Sequence, residues 1–141
     1  FSINKSNTKI VSEKKPTKKE MDDLIFANKV VKHVRSNAIV IAKNKTTIGI
    51  GSGNTSRVDS VKFAIEKSKR VQLVKATKIL SGSVMASDAF FPFTDSIKLA
   101  EKNGIKSIIQ PGGSIKDKNV IEEANKNDIS MVFTNKRCFS H

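Results

Sequence analysis

No Trp and no Tyr occur among the 141 residues, and the chain carries only one Cys, two His and three Pro. A single Cys forms no internal disulfide, and with so few Cys and His there is no paired spacing of a zinc site. Both absences suit a reducing, cytoplasmic setting. Three Pro and seven Gly exclude collagen-like or Pro-rich material. The longest apolar runs reach about five residues, against the roughly 20 that cross a bilayer as a helix, so no membrane span is expected. The chain opens on Phe1, without an initiator Met or a charged-then-apolar leader, and so reads as a piece of something longer. No internal repeat or low-complexity tract stands out.

What the chain has in quantity is lysine. Lys and Arg number 26 against 13 acidic residues, a net charge of +13, with 38% of residues hydrophobic and 28% charged. That apolar share and length suit one folded domain. The excess is lopsided: residues 1–80 hold 18 basic and 6 acidic residues, and 81–141 hold 8 and 7. Such a balance makes a basic nucleic-acid-binding module the alternative class of function. Against it, the cations are scattered lysines interspersed with Asn, with no Tyr or Trp to stack bases, which favours a solvated surface.

Periodicity divides the chain into alternating strands and helices. A short strand is expected over 8–12. A helix follows Pro16, where Thr17 and Glu20 form a capping box ahead of Met21, Leu24, Ile25, Val30, Val31 and Val34. Ser36 and Asn37 end it, and Ala38–Ala42 is a continuous apolar run suited to a strand covered on both faces. Thr47–Ile50 pairs with it across a hairpin. Gly49, Gly51 and Gly53 then lead to a helix starting at Ser56 and Asp59, with Val58, Val61, Ala64 and Ile65 facing inward. Glycines at such a turn allow an anion to approach the helix N-terminus or form a plain tight turn, and the spacing is not the dinucleotide fingerprint. Residues 66–82 resist assignment, with a strand reading available for Val71–Val74. Beyond them come a strand at Ser83–Ser87, a helix capped by Thr94 and ended by Gly104, a strand at Ile105–Gln110, a helix over Lys116–Asn127 and a strand at Ile129–Thr134. This alternation describes a layered α/β fold, a mixed sheet with helices packed on it.

Candidate sites cluster after strands, where open α/β sheets bind ligands. Asp88-Ala89-Phe90-Phe91-Pro92-Phe93 holds three of the eight phenylalanines. They read equally as staples for the next helix or as an aromatic shelf for a planar ligand. Asp88 and Asp95 flank that turn, and either could accept N–H donors from a heterocycle. His33, near Lys29, Lys32 and Arg35, reads as a surface histidine, Cys138 as an ordinary thiol, and no catalytic dyad is complete within the chain.

Five segments, Val30–Val40 (VVKHVRSNAIV), Thr47–Ser60 (TIGIGSGNTSRVDS), Ser87–Phe93 (SDAFFPF), Gln110–Ser114 (QPGGS) and Met131–His141 (MVFTNKRCFSH), resemble in order and wording the C-terminal portion of the bifunctional family that joins AICAR transformylase to IMP cyclohydrolase. The likeness runs from about residue 8 to the C-terminus. It implies a cytidine-deaminase-like α/β fold without zinc. The activity implied is transfer of a formyl group from 10-formyltetrahydrofolate to the 5-amino group of AICAR in purine biosynthesis, by a homodimer with its sites at the subunit interface. Residues 1–141 would be the end of the transformylase domain, the order of residues 1–7 being left open.

Carried over residue by residue, the resemblance makes Asn37 the amide near the transferring formyl group and places Arg57 on the folate side. It makes Phe90 the ring against the bound ligands, Asp95 the carboxylate facing the pterin, and Ser114 a hydroxyl at the same end. Arg137 would hold the nucleotide phosphate, and His141 matches the family's terminal histidine. Ser36, Asp88 and the tail resemble a monovalent-cation site, K⁺, of some members. The chain departs from the family at Gly51-Ser52-Gly53-Asn54, where GAGQ is usual, and at Arg137-Cys138-Phe139-Ser140-His141, where bacterial members often have RHFRH. The family's catalytic Lys-His pair and its cyclohydrolase domain fall outside this sequence, which implies an isolated chain without turnover.

Overall fold

A computed structural model describes residues 8–135. Within them the chain runs β1 (Lys9–Ile10), α1 (Lys18–Val31), β2 (Ile39–Lys43), β3 (Thr46–Gly51), α2 (Arg57–Lys75), β4 (Val84–Ser87), α3 (Asp95–Lys102), β5 (Ser107–Gln110), α4 (Asp117–Lys126) and β6 (Ser130–Phe133). The strands form one mixed sheet in the order β1-β6-β5-β4-β2-β3. β4, β5 and β6 are parallel, whereas β2 runs antiparallel to both β4 and β3. The expected layered α/β architecture is therefore observed.

Side-chain alternation along each strand sorts the interior into two cores. On one face Ile39, Ile41, Met85, Ile108 and Met131 pack with Val61 and Ile65 of α2, Ile97 of α3 and Val120 of α4. On the other, Val40, Ala42, Val84, Ala86, Ile109 and Val132 meet Met21, Leu24, Ala27 and Val31 of α1. Ala38 through Ala42 are all fully buried, as their unbroken apolar run requires of a strand sandwiched between helices.

The local signals account for most boundaries. Thr17 and Glu20 form the reciprocal capping box, and the Ser56 side chain accepts from the Asp59 N–H at the start of α2. The β2–β3 hairpin turns at Asn44 and Lys45, both at positive φ, the conformation of a two-residue turn whose twist matches the strands. Asp23 of α1, 3% exposed, accepts both turn N–H groups, from Asn44 at 3.1 Å and Lys45 at 2.8 Å.

Two expectations are corrected. The strand reading of Val71–Val74 fails, because α2 continues unbroken to Lys75 and ends on left-handed Ala76. Leu73 and Val74 in its last turns are 83% and 85% exposed, so no buried stripe marks that stretch as helical. Thr94 occupies the N-cap position of α3 but is itself helical and makes no side-chain cap bond. Asp95 Oδ1 accepts from Ser96 N–H there at 2.9 Å. Gly53, at φ +68, has nothing within 4 Å of its Cβ position, whereas a Cβ on Gly49 would lie 2.2 Å from the Ala64 carbonyl oxygen and one on Gly51 1.9 Å from that of Ser60. These last two positions let α2 lie directly on β3.

Candidate functional site

Because β2 runs against β4, its N-terminal end lies beside the C-terminal ends of β3 and β4: Ile39 pairs with both Gly51 and Ser87. The loops leaving β3, β4, β5 and β6 and the loop entering β2 therefore gather at one end of the sheet. A cleft of about 470 Å³ opens there. Asn37 borders it from the loop before β2, Thr55, Ser56, Arg57 and Val58 from the start of α2, and Phe90, Pro92, Phe93, Asp95 and Ser96 from the β4–α3 turn.

The two readings of the phenylalanines divide among them. Phe91 is fully buried in the core and does the work of a staple. Phe90 is half-buried and Phe93 is 62% exposed, both on the cleft wall, so they supply the flat apolar surface. Asp95 is exposed at the cleft edge, in the first turn of α3.

Asn37 is held at both ends of its amide: Nδ2 donates to the Asn54 carbonyl at 2.9 Å, and Oδ1 accepts from Arg57 Nη2 at 2.9 Å. The Ser60 hydroxyl donates to its backbone carbonyl at 2.8 Å. An amide has two N–H donors and two acceptor lone pairs, so one of each is left for a ligand.

Asp88 is placed differently from its sequence reading. It is fully buried rather than facing a heterocycle. Its Oδ1 accepts from Ala38 N–H at 3.1 Å and from Arg57 Nη1, with which it forms an ion pair, while Oδ2 accepts from the Ser36 hydroxyl. Both carboxylate oxygens are thus engaged.

Ser114 lies outside the ring of cleft residues, on the loop after β5, where its hydroxyl accepts from Lys116 N–H at 3.0 Å. That loop reaches the cleft through Gly113, whose Cβ position would stand 4.0 Å from the Phe90 ring. Asp117 fixes it, accepting from Gly113 N–H at 2.8 Å and Ser114 N–H at 3.2 Å. Gly112 is at φ +74, and a Cβ there would strike the Phe133 ring at 2.6 Å. His33 is exposed in the turn after α1. Arg137, Cys138 and His141 lie outside the described residues, as do residues 1–7.

Sequence reasoning missed Ser60, Asn54 and Asp117 as organisers of the site, along with Thr55 and Ser96 on its wall. The polar run from Ser52 to Ser56 after a strand was a signal that could have pointed to Asn54 and Thr55.

An α/β domain with a fixed amide, a paired guanidinium and an aromatic wall around one cleft at its strand ends has the architecture of the open-sheet class, whose members bind ligands at that end of the sheet. Residues 1–67 match the family model described as AICARFT/IMPCHase bienzyme. The chain is 58% identical over 133 residues to the bifunctional purine biosynthesis protein PurH of Persephonella marina, covering 94% of this chain and 25% of that protein. To PurH of Buchnera aphidicola subsp. Schizaphis graminum it is 55% identical over 139 residues, 99% of this chain and 26% of that protein. The chain belongs to this bifunctional purine-biosynthesis family and spans about a quarter of the length of those relatives. Among solved structures, the dCMP deaminase of cyanophage S-TIM5 in complex with dCMP and dUMP aligns with a TM-score of 0.48 at 15% identity, over 78% of this chain and 90% of that one. No helix among the described residues is long and apolar enough to cross a membrane.

Proposed function

We propose that this chain is the C-terminal portion of an AICAR transformylase domain and forms the folate-side wall of its site. The observation that carries the reading is that Asn37, Arg57, Phe90 and Asp95, spread over 59 positions, border one cleft at the sheet end. In the reaction the 5-amino nitrogen of AICAR attacks the formyl carbon of 10-formyltetrahydrofolate. The new N–C bond forms, the bond from that carbon to N10 breaks, the amine gives up a proton and N10 takes one. Such a transfer depends chiefly on holding amine and formyl group together, with a base near the amine.

In this proposal the free N–H and lone pair of Asn37 meet the formyl group, Phe90 packs on the ligand, Asp95 accepts from the pterin and Ser114 lies beyond it. Arg57 borders the folate side. Arg137 and His141, outside the described residues, belong to the nucleotide side, and K⁺ would sit near Ser36 and Asp88. The base comes from residues absent from this sequence, and the complete enzyme is a homodimer working in the cytoplasm.

The test separates the two activities of the family. In the full-length protein, Asn37→Ala should lower formyl transfer by about 100-fold or more, with IMP cyclohydrolase activity unchanged. Unchanged formyl transfer in both Asn37→Ala and Asp95→Ala would refute the reading. The isolated 141-residue chain, given AICAR and 10-formyltetrahydrofolate, should show little or no turnover, and wild-type-like turnover would mean that the missing Lys-His pair is dispensable.

A further inference from the structure

The residues on either side of Asn37 are tied to one carboxylate. Asp88 accepts from the Ser36 hydroxyl and the Ala38 N–H, and its own N–H donates back to the Ala38 carbonyl at 3.2 Å. The same carboxylate pairs with Arg57, and Arg57 donates its other terminal nitrogen to Asn37 Oδ1. Asp88 is fully buried and the Arg57 side chain is 8% exposed. A guanidinium is the one side chain whose fixed fork can serve a carboxylate with one nitrogen and an amide oxygen with the other. An Asn amide has two faces that differ only by a flip. Here Arg57 demands the oxygen on its side and the Asn54 carbonyl demands the nitrogen on the other, so one orientation is enforced.

We infer that Asp88 and Arg57 are a positioning pair: the buried carboxylate anchors the guanidinium, which fixes the Asn37 amide so that its remaining N–H and lone pair meet the transferring group. Arg57 in this arrangement acts through Asn37 rather than by holding the folate. The inference rests on the transformylase reading of Asn37 above.

The experiment is a double-mutant cycle in the full-length protein, followed by formyl transfer with separate kcat and folate KM. Arg57→Lys keeps the charge beside Asp88 and removes the second donor. It should lower kcat by about 10-fold or more with folate KM within about twofold, the pattern of a lost transition-state interaction. In the Asn37→Ala background the same substitution should cost less than about twofold further, because residues acting as a unit are non-additive. Equal losses in both backgrounds, or a raised folate KM at unchanged kcat, would overturn the positioning role. No effect of Asn37→Ala itself would also overturn this inference, whereas the transformylase reading falls only if Asp95→Ala is silent as well. Should Arg57→Lys fail to fold, Asp88→Asn tests the same pair from its other member, keeping the side chain's size while removing the charge that anchors Arg57. It should lower kcat several-fold in the native background and leave the Asn37→Ala background unchanged, and equal effects in the two would again reject the inference.

Discussion

Adjacent residues with one side-chain chemistry carry different duties in this chain. Phe90 and Phe91 follow each other on the turn after β4, yet one borders the cleft and the other is wholly enclosed by the core. Phe91→Ala should cost about 3–5 kcal/mol, the range for emptying a buried aromatic site, read as a lowered urea midpoint. Phe90→Ala should barely move that midpoint while weakening folate binding by about 10-fold, since a half-buried ring gives up roughly 1–2 kcal/mol of ligand contact. Calorimetric titration alongside denaturation separates the two, and matching stability losses would contradict the division. The sequence shows three phenylalanines in four positions without saying which faces inward. That choice is made by the path of the turn, which local pattern does not encode. Asp88 was equally opaque: its partner Arg57 stands 31 positions away, and no local spacing announces a long-range ion pair.

At the level of elements, much more was readable. The capping box of α1, the enclosed run of β2 and the hairpin that follows it are local devices that the sequence made legible, although Lys43 belongs to the strand and the turn itself is only Asn44-Lys45. The exception is the far half of α2, whose exposed Leu73 and Val74 leave periodicity nothing to report. Contacts between elements were hidden for a different reason, since they depend on approach distances. Gly51→Ala would drive a Cβ to 1.9 Å from the Ser60 carbonyl, and separating α2 from β3 should cost about 3 kcal/mol or more. The hairpin clasp offers a paired comparison. Asp23→Ala removes the acceptor of two turn N–H groups and should lower stability by about 1–3 kcal/mol, whereas Lys45→Gly relieves a non-glycine residue at φ 54 and should raise it by up to about 1 kcal/mol. Thermal denaturation reads both, and the same sign of change for the two variants would refute this account of the turn.

For the molecule as a whole, topology decides where the C-terminal residues begin their path. β6 ends at Phe133, and the chain beyond it is tied to the β5 loop: Thr134 N–H donates to the Gln110 carbonyl and Asn135 N–H to that of Pro111, each at 3.0 Å. Arg137 lies outside the described residues, and its place on the nucleotide side belongs to the proposed function. The net charge of +13 adds a general attraction for anions, but a scattered lysine surface does not distinguish a phosphate from other polyanions. A guanidinium instead holds one oxyanion through two parallel hydrogen bonds in a fixed geometry. The prediction is that Arg137→Ala, made in the full-length protein, weakens binding of the nucleotide AICAR by about 30- to 100-fold, equivalent to roughly 2–3 kcal/mol for a charge-assisted pair. Binding of the corresponding nucleoside should stay within about twofold, because it lacks the phosphate that Arg137 is proposed to hold. Raising the salt concentration should weaken wild-type nucleotide binding more than that of the variant, since screening acts on the interaction that the variant has already lost. Equal losses for nucleoside and nucleotide would show that Arg137 supports the shape of the site instead of reading the phosphate.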